Sequence, residues 1–111
     1  MRPLLHPPID DVRVEAILHA LSDPVRAALF AEIASAACPQ TCTGLAGVIH
    51  QAIPKSSLSQ HFKVLREAGL IRSERRGVEL HNTSRCTEVE ERFPGLLPAI
   101  LAAQARQAKA S

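Results

Sequence analysis

Lys55, Ser56, Ser57, Gln60 and Lys63 gather cationic and hydrogen-bonding side chains within one stretch, PKSSLSQHFKVLREAGLIRSERRG, running from Pro54 to Gly77. Ammonium groups suit phosphate oxygens, and hydroxyl and carboxamide groups suit base edges, so this set fits contact with a nucleic-acid groove. Arg72, Arg75 and Arg76 follow at once, with Arg85 close behind. Guanidinium groups there fit phosphate contact beside such a helix; the plainer reading is that they solubilise the edge of a hairpin. His61 stands where an apolar and a polar helix face meet, a place for either a base reader or a structural histidine bonded to nearby backbone. The third set is Cys38, Cys42 and Cys86. Their thiolates suit a soft metal ion or pyramidal trivalent arsenic, and two of them could close a redox-switched disulfide; the plainer reading is three small buried hydrophobes.

These residues need elements to hold them, and the spacing supplies them. Leu58, Phe62 and Leu65 recur at i, i+4 and i+7, which predicts a helix with Ser56, Ser57, Gln60 and Lys63 turned away from its apolar stripe. Gly69 stands where a residue of positive φ ends a helix, and Leu70 and Ile71 fold back as the hydrophobic seal. LIRSERR and VELHNT then read as two short strands joined through Gly77. Upstream, MRPLLHPPID is expected to be an extended arm over residues 1–10. Asp10 or Asp11 is expected to cap a helix carrying Val14, Ile17, Leu18 and Leu21, and Ser22-Asp23-Pro24 to end it and start the next. That second helix runs to about Ser35 with Val25, Leu29 and Ile33 inward. Cys38 to Cys42 reads as a loop, leading to a third helix capped by Thr43 with Leu45, Val48 and Ile49 buried. Only Gln51, Ala52 and Ile53 separate it from the polar helix, the length of the turn in a helix-turn-helix. Downstream, Thr87 to Glu90 has capping-box spacing, and Val89, Phe93, Leu96, Leu97, Ile100 and Leu101 share one side of a last helical region bent at Pro94 and Pro98. Part of that stripe, with the first helix, is read as a dimer surface. Residues 104–111 are expected to fray.

The chain has 111 residues, a single-domain length spanning 1–111. It lacks Tyr and Trp and has three Phe, so the core must be aliphatic and the stacking platforms of single-strand binders are missing. The net charge of +2 divides unevenly: residues 1–53 carry three basic and five acidic side chains, 54–85 seven and three, and 86–111 three and three. The positive field therefore belongs to the polar helix and hairpin, as duplex binding requires. No apolar run reaches membrane-spanning length, and an odd number of cysteines with no secretory signal implies a reducing, cytoplasmic setting, with the protein on the nucleoid when bound to DNA. There is no glycine-rich phosphate cradle and no paired carboxylate beside a nucleophile, which argues against an enzyme. A winged-helix module that binds another protein is the better rival, since a fold does not fix a function.

Three pieces, LHALSDPVRAALFAEIA at 18–34, SSLSQHFKVLREAGLIRSERRG at 56–77 and ERFPGLL at 91–97, give the chain a resemblance to the ArsR/SmtB family of dimeric winged helix-turn-helix repressors. Within them Ser57, His61, Leu65, Ala68, Gly69 and Leu70 follow the family's spaced pattern. The resemblance implies a mainly α fold with a small β-hairpin, a winged helix-turn-helix that dimerises through its N- and C-terminal helices. It also implies repression from a double-stranded, imperfectly palindromic operator, and release by an inducer, often a metal or metalloid ion. The chain departs from the family's usual metal sites. Cys42 is followed by Thr43 and Gly44 where a Cys-x-Cys pair is expected, and no His occurs after His81 to form the site on the last helix. Cys38, Cys42 and Cys86 remain as the thiols toward which a soft ion, trivalent arsenic or an oxidant could act.

Overall fold

The computed structural model describes residues 4–35, 40–41 and 53–110. The third helix expected from Thr43 onward, together with Cys38 and Cys42, lies outside these residues. A 3-10 turn at Ile9–Asp11 precedes α1 (Val14–Ala20) and α2 (Pro24–Ser35); β1 (Gln40–Thr41) and α3 (Lys55–Glu67) follow. The chain continues with β2 (Ile71–Arg76), β3 (Glu79–Ser84), α4 (Cys86–Arg92) and α5 (Leu96–Ala110). The strands form one antiparallel sheet in the order β1-β3-β2.

Local chemistry accounts for most of the boundaries. Asp23 Oδ1 accepts the Val25 and Arg26 N–H groups at 2.7 and 3.3 Å, and Pro24 fills the first helical position, so α2 starts as its sequence predicts. Arg26 reaches back to donate to the carbonyls of Ala20 and His19, closing the end of α1. At the far end of α3, Gly69 has φ +86°. Its N–H bonds the Arg66 carbonyl and the Leu70 N–H bonds the Leu65 carbonyl, which is the Schellman arrangement. β2 and β3 pair from Ile71 with Ser84 to Arg76 with Glu79, leaving Gly77 and Val78 as a two-residue turn with φ +67° at the glycine.

One core unites these elements. Ile17 of α1, Leu29 and Phe30 of α2, Phe62 and Leu65 of α3, and Ile71 of β2 are buried together with Val89 and Leu97 from the last two helices. α2 packs on β3 and α3, and α3 packs on β2.

Several expectations change. Neither Asp10 nor Asp11 caps α1; they lie in the 3-10 turn, and α1 begins after Arg13 with no side-chain cap. Val12 explains the shift, because its burial against Gly69 fixes the chain before the helix can start. Leu18 stands 51% exposed, since the seven-residue helix turns only Ile17 and Ala20 fully into the core, followed by Leu21 just past its end. The segment expected as a loop contributes a third strand: Gln40 and Thr41 pair with Asn82 and His81. Thr87 and Glu90 form no capping box. α4 begins at Cys86, and the Glu90 carboxylate accepts the Gly95 N–H instead. Val89 and Leu97 of the late stripe are buried within the chain's own core, with Phe93, Leu96, Ile100 and Leu101 packed half-buried beside them. Pro98 sits in the first turn of α5, where its missing N–H costs no hydrogen bond, and the helix continues through the stretch expected to fray, to Ala110.

Candidate nucleic-acid interface

α3 presents two unlike faces. Phe62 and Leu65 are buried and Leu58 and Val64 pack against the core, whereas Lys55, Ser56, Gln60 and Lys63 are exposed. Ser57 is half-buried, nearer the flank than the crest. The helix starts after Pro54 without a side-chain cap, and its first bond runs from the Leu58 N–H to the Pro54 carbonyl. Among the described residues no side chain caps the N–H groups of the first turn. His61 is half-buried; its Nδ1 is shut off from solvent with no hydrogen-bond partner among the described residues, and the ring lies near Asp23 at the start of α2. Partial burial works against ionising Asp23, but the Val25 and Arg26 N–H groups, with His61 and Arg26 charge, hold its carboxyl below the usual range.

The arginines after Gly69 divide into distinct roles. Arg72 donates to Glu88 at 3.3 Å, and Arg76 lies 3.5 Å from Glu74. Register sets Arg72, Glu74 and Arg76 on one face of the hairpin opposite Thr83, His81 and Glu79, so charge on that face is largely balanced. Arg75 lies on the other face, in line with buried Ile71 and Ser73, yet beyond the core and exposed. It makes no ion pair among the described residues. Arg85, which the sequence grouped with the hairpin arginines, is buried: it grips both Glu88 oxygens, at 3.2 and 2.9 Å, and donates to the Pro7 carbonyl at 2.8 Å. Its bond is the main reason the Glu88 carboxyl lies below the usual range. Cys86 is half-buried at the start of α4 and packs against the core.

Sequence reasoning missed the link between α3 and the hairpin. Arg66 Nε donates to Ser73 Oγ at 3.1 Å, and that hydroxyl donates to Asn82 Oδ1 at 2.7 Å, all three residues being buried. Satisfied buried polar groups fix geometry, so this network sets the angle between α3 and the hairpin. A serine and an asparagine directly opposite in a predicted hairpin were the available signal.

A family model described as a helix-turn-helix domain matches residues 21–74. Among solved structures, an ArsR-like transcriptional regulator from Rhodococcus sp. RHA1 aligns with a TM-score of 0.60 at 24% identity, over 86% of this chain and 86% of its own. Another ArsR family transcriptional regulator aligns with a TM-score of 0.60 at 21% identity, over 96% of this chain and 99% of its own. NolR from Sinorhizobium fredii gives 0.55 at 21% identity, over 84% and 97%. No curated protein matches the sequence. With α3 inside the stretch matched by the helix-turn-helix model and an antiparallel hairpin directly after it, the chain has the winged helix-turn-helix fold. Its fold is that of the ArsR-family regulators it aligns with. Among the described residues no helix is long and apolar enough to cross a membrane.

Proposed function

We propose that the chain is a sequence-specific transcriptional repressor that binds double-stranded DNA as a homodimer and leaves its operator when an inducer binds. The observation that carries this reading is the exposed row Lys55, Ser56, Gln60 and Lys63 on a helix whose other face is locked into the core, with Arg75 exposed on the adjoining wing. A helix held in this way can enter a major groove without unfolding anything. Ser56, Ser57 and Gln60 are assigned to base edges, Lys55 and Lys63 to phosphates beside the groove, and Arg75 to a phosphate under the wing. Arg72 and Arg76 supply the wing's remaining positive charge, each beside a carboxylate. Two-fold symmetry would place two such helices about 34 Å apart, so the operator is an imperfect palindrome with half-sites about one helical turn or more between centres. The protein then works in the cytoplasm, on the nucleoid. For release, Cys38, Cys42 and Cys86 are the thiols on which a soft metal ion, trivalent arsenic or an oxidant would act.

The test is the salt dependence of duplex affinity. Neutralised phosphates release counterions, so log affinity must fall steeply and linearly with log salt. A flat dependence would assign the basic face to a protein partner instead.

A further inference from the structure

The N-terminal arm lies across the outer edge of the sheet. β2 is an edge strand, so N–H groups on its outer side have no neighbouring strand to receive them. The Ser73 N–H is instead received by Nε2 of His6 at 3.0 Å. A neutral imidazole accepts through Nε2 only when its proton sits on Nδ1. Arg85 fastens the next residue through the Pro7 carbonyl, and Arg92 fastens Val12 through its carbonyl at 3.1 Å. The charges around His6 are cationic: Arg72 from β2, Arg66 from α3 and Arg85 at the head of α4. Glu88, the carboxylate of that neighbourhood, is already bound by Arg85 and Arg72.

We propose that His6 is a proton-sensitive latch fastening the arm to the base of the wing: neutral, it accepts the Ser73 N–H, and protonated, it loses that acceptor, faces three arginines and lets the arm leave. The same Ser73 joins Arg66 to Asn82 through its hydroxyl, so the latch closes on the network that angles the reading helix to the wing. It is a property of the fold and stands apart from the DNA reading.

The direction follows from linkage. Burial first, and then the three arginines, hold His6 below its ordinary value of 6.5, while the Leu4 carbonyl opposes them. The released arm therefore binds more protons than the docked one, so docking is fully present above pH 6.5 and weakens as pH falls below it. Between pH 7.5 and 5.5 the ratio of released to docked arm rises by up to about tenfold.

Amide hydrogen exchange on the full chain reads this directly, with protection factors correcting for the intrinsic pH dependence of exchange. The Ser73 protection factor should fall by up to about tenfold from pH 7.5 to 5.5 while that of Leu65, inside α3, holds steady. In His6→Gln, whose carboxamide oxygen accepts but does not titrate, Ser73 protection should stay level across the interval. In His6→Ala it should be low throughout. By proton NMR, His6 should titrate lower in the folded chain than in the same chain unfolded in urea. Unchanged Ser73 protection in the wild type, an equal fall in His6→Gln or at Leu65, or one His6 titration in both states would overturn the latch.

Discussion

Arg72, Arg75 and Arg76 are near neighbours in sequence, yet a strand alternates its side chains, and that alternation sends them to different electrostatic surroundings. Arg72 and Arg76 each stand beside a carboxylate, so a phosphate would have to compete with Glu88 or Glu74 for them. Arg75 has no such competitor among the described residues. On the proposed function, Arg75→Ala should weaken every duplex alike and lower the salt slope by about one phosphate. Arg72→Ala should change the slope less, because its charge is already partly spent on Glu88. Affinity measured across a salt series decides between them, and equal slopes for the two variants would place the wing's contacts elsewhere. The sequence showed that this cluster was basic. It did not show that Arg72 has a carboxylate beside it, because Glu88 lies on a later element.

At the scale of elements, α3, its glycine stop and the hairpin were legible because each rests on neighbours in sequence. Apolar spacing marks the helix, positive φ at Gly69 marks the stop, and Gly77 marks the turn. Asp23-Pro24 was legible for the same reason. What escaped was long-range: β1 on β3, the arm on β2, and the Arg66–Ser73–Asn82 link all join segments that no local pattern connects. The capping box at Thr87 failed because Arg85, buried on Glu88, already governs how α4 begins. Gly69 is the tightest element junction, since it combines positive φ with a side chain's worth of space already taken by Val12. Gly69→Ala should cost about 2–4 kcal/mol through left-handed strain and overpacking. Chemical denaturation measures this, and a loss below about 0.5 kcal/mol would show that the junction yields freely.

For the whole molecule, the proposed dimer must use what the chain's own core leaves over. Leu97 is not left over, since from the first turn of α5 it is buried with Val89 in the protomer's own core. Leu97→Glu should therefore unfold the protomer at a cost of about 3–5 kcal/mol, whatever the assembly state. Leu18, half exposed on α1, is the better probe of assembly. Leu18→Glu should keep the helical circular dichroism of the wild type while sedimentation shows a shift from dimer to monomer. A dimer that survives Leu18→Glu would move the interface away from α1.

The central claim is that α3 reads a palindrome, and selection of bound duplexes from a random pool tests it most directly, with wild type and Gln60→Ala run side by side. The account predicts that wild type enriches a two-fold symmetric motif, and that Gln60→Ala relaxes one position in each half-site, by about 1–3 kcal/mol of discrimination, while the rest of the motif persists. An unsymmetric pool with no motif, or a motif that Gln60→Ala leaves unchanged, would contradict it.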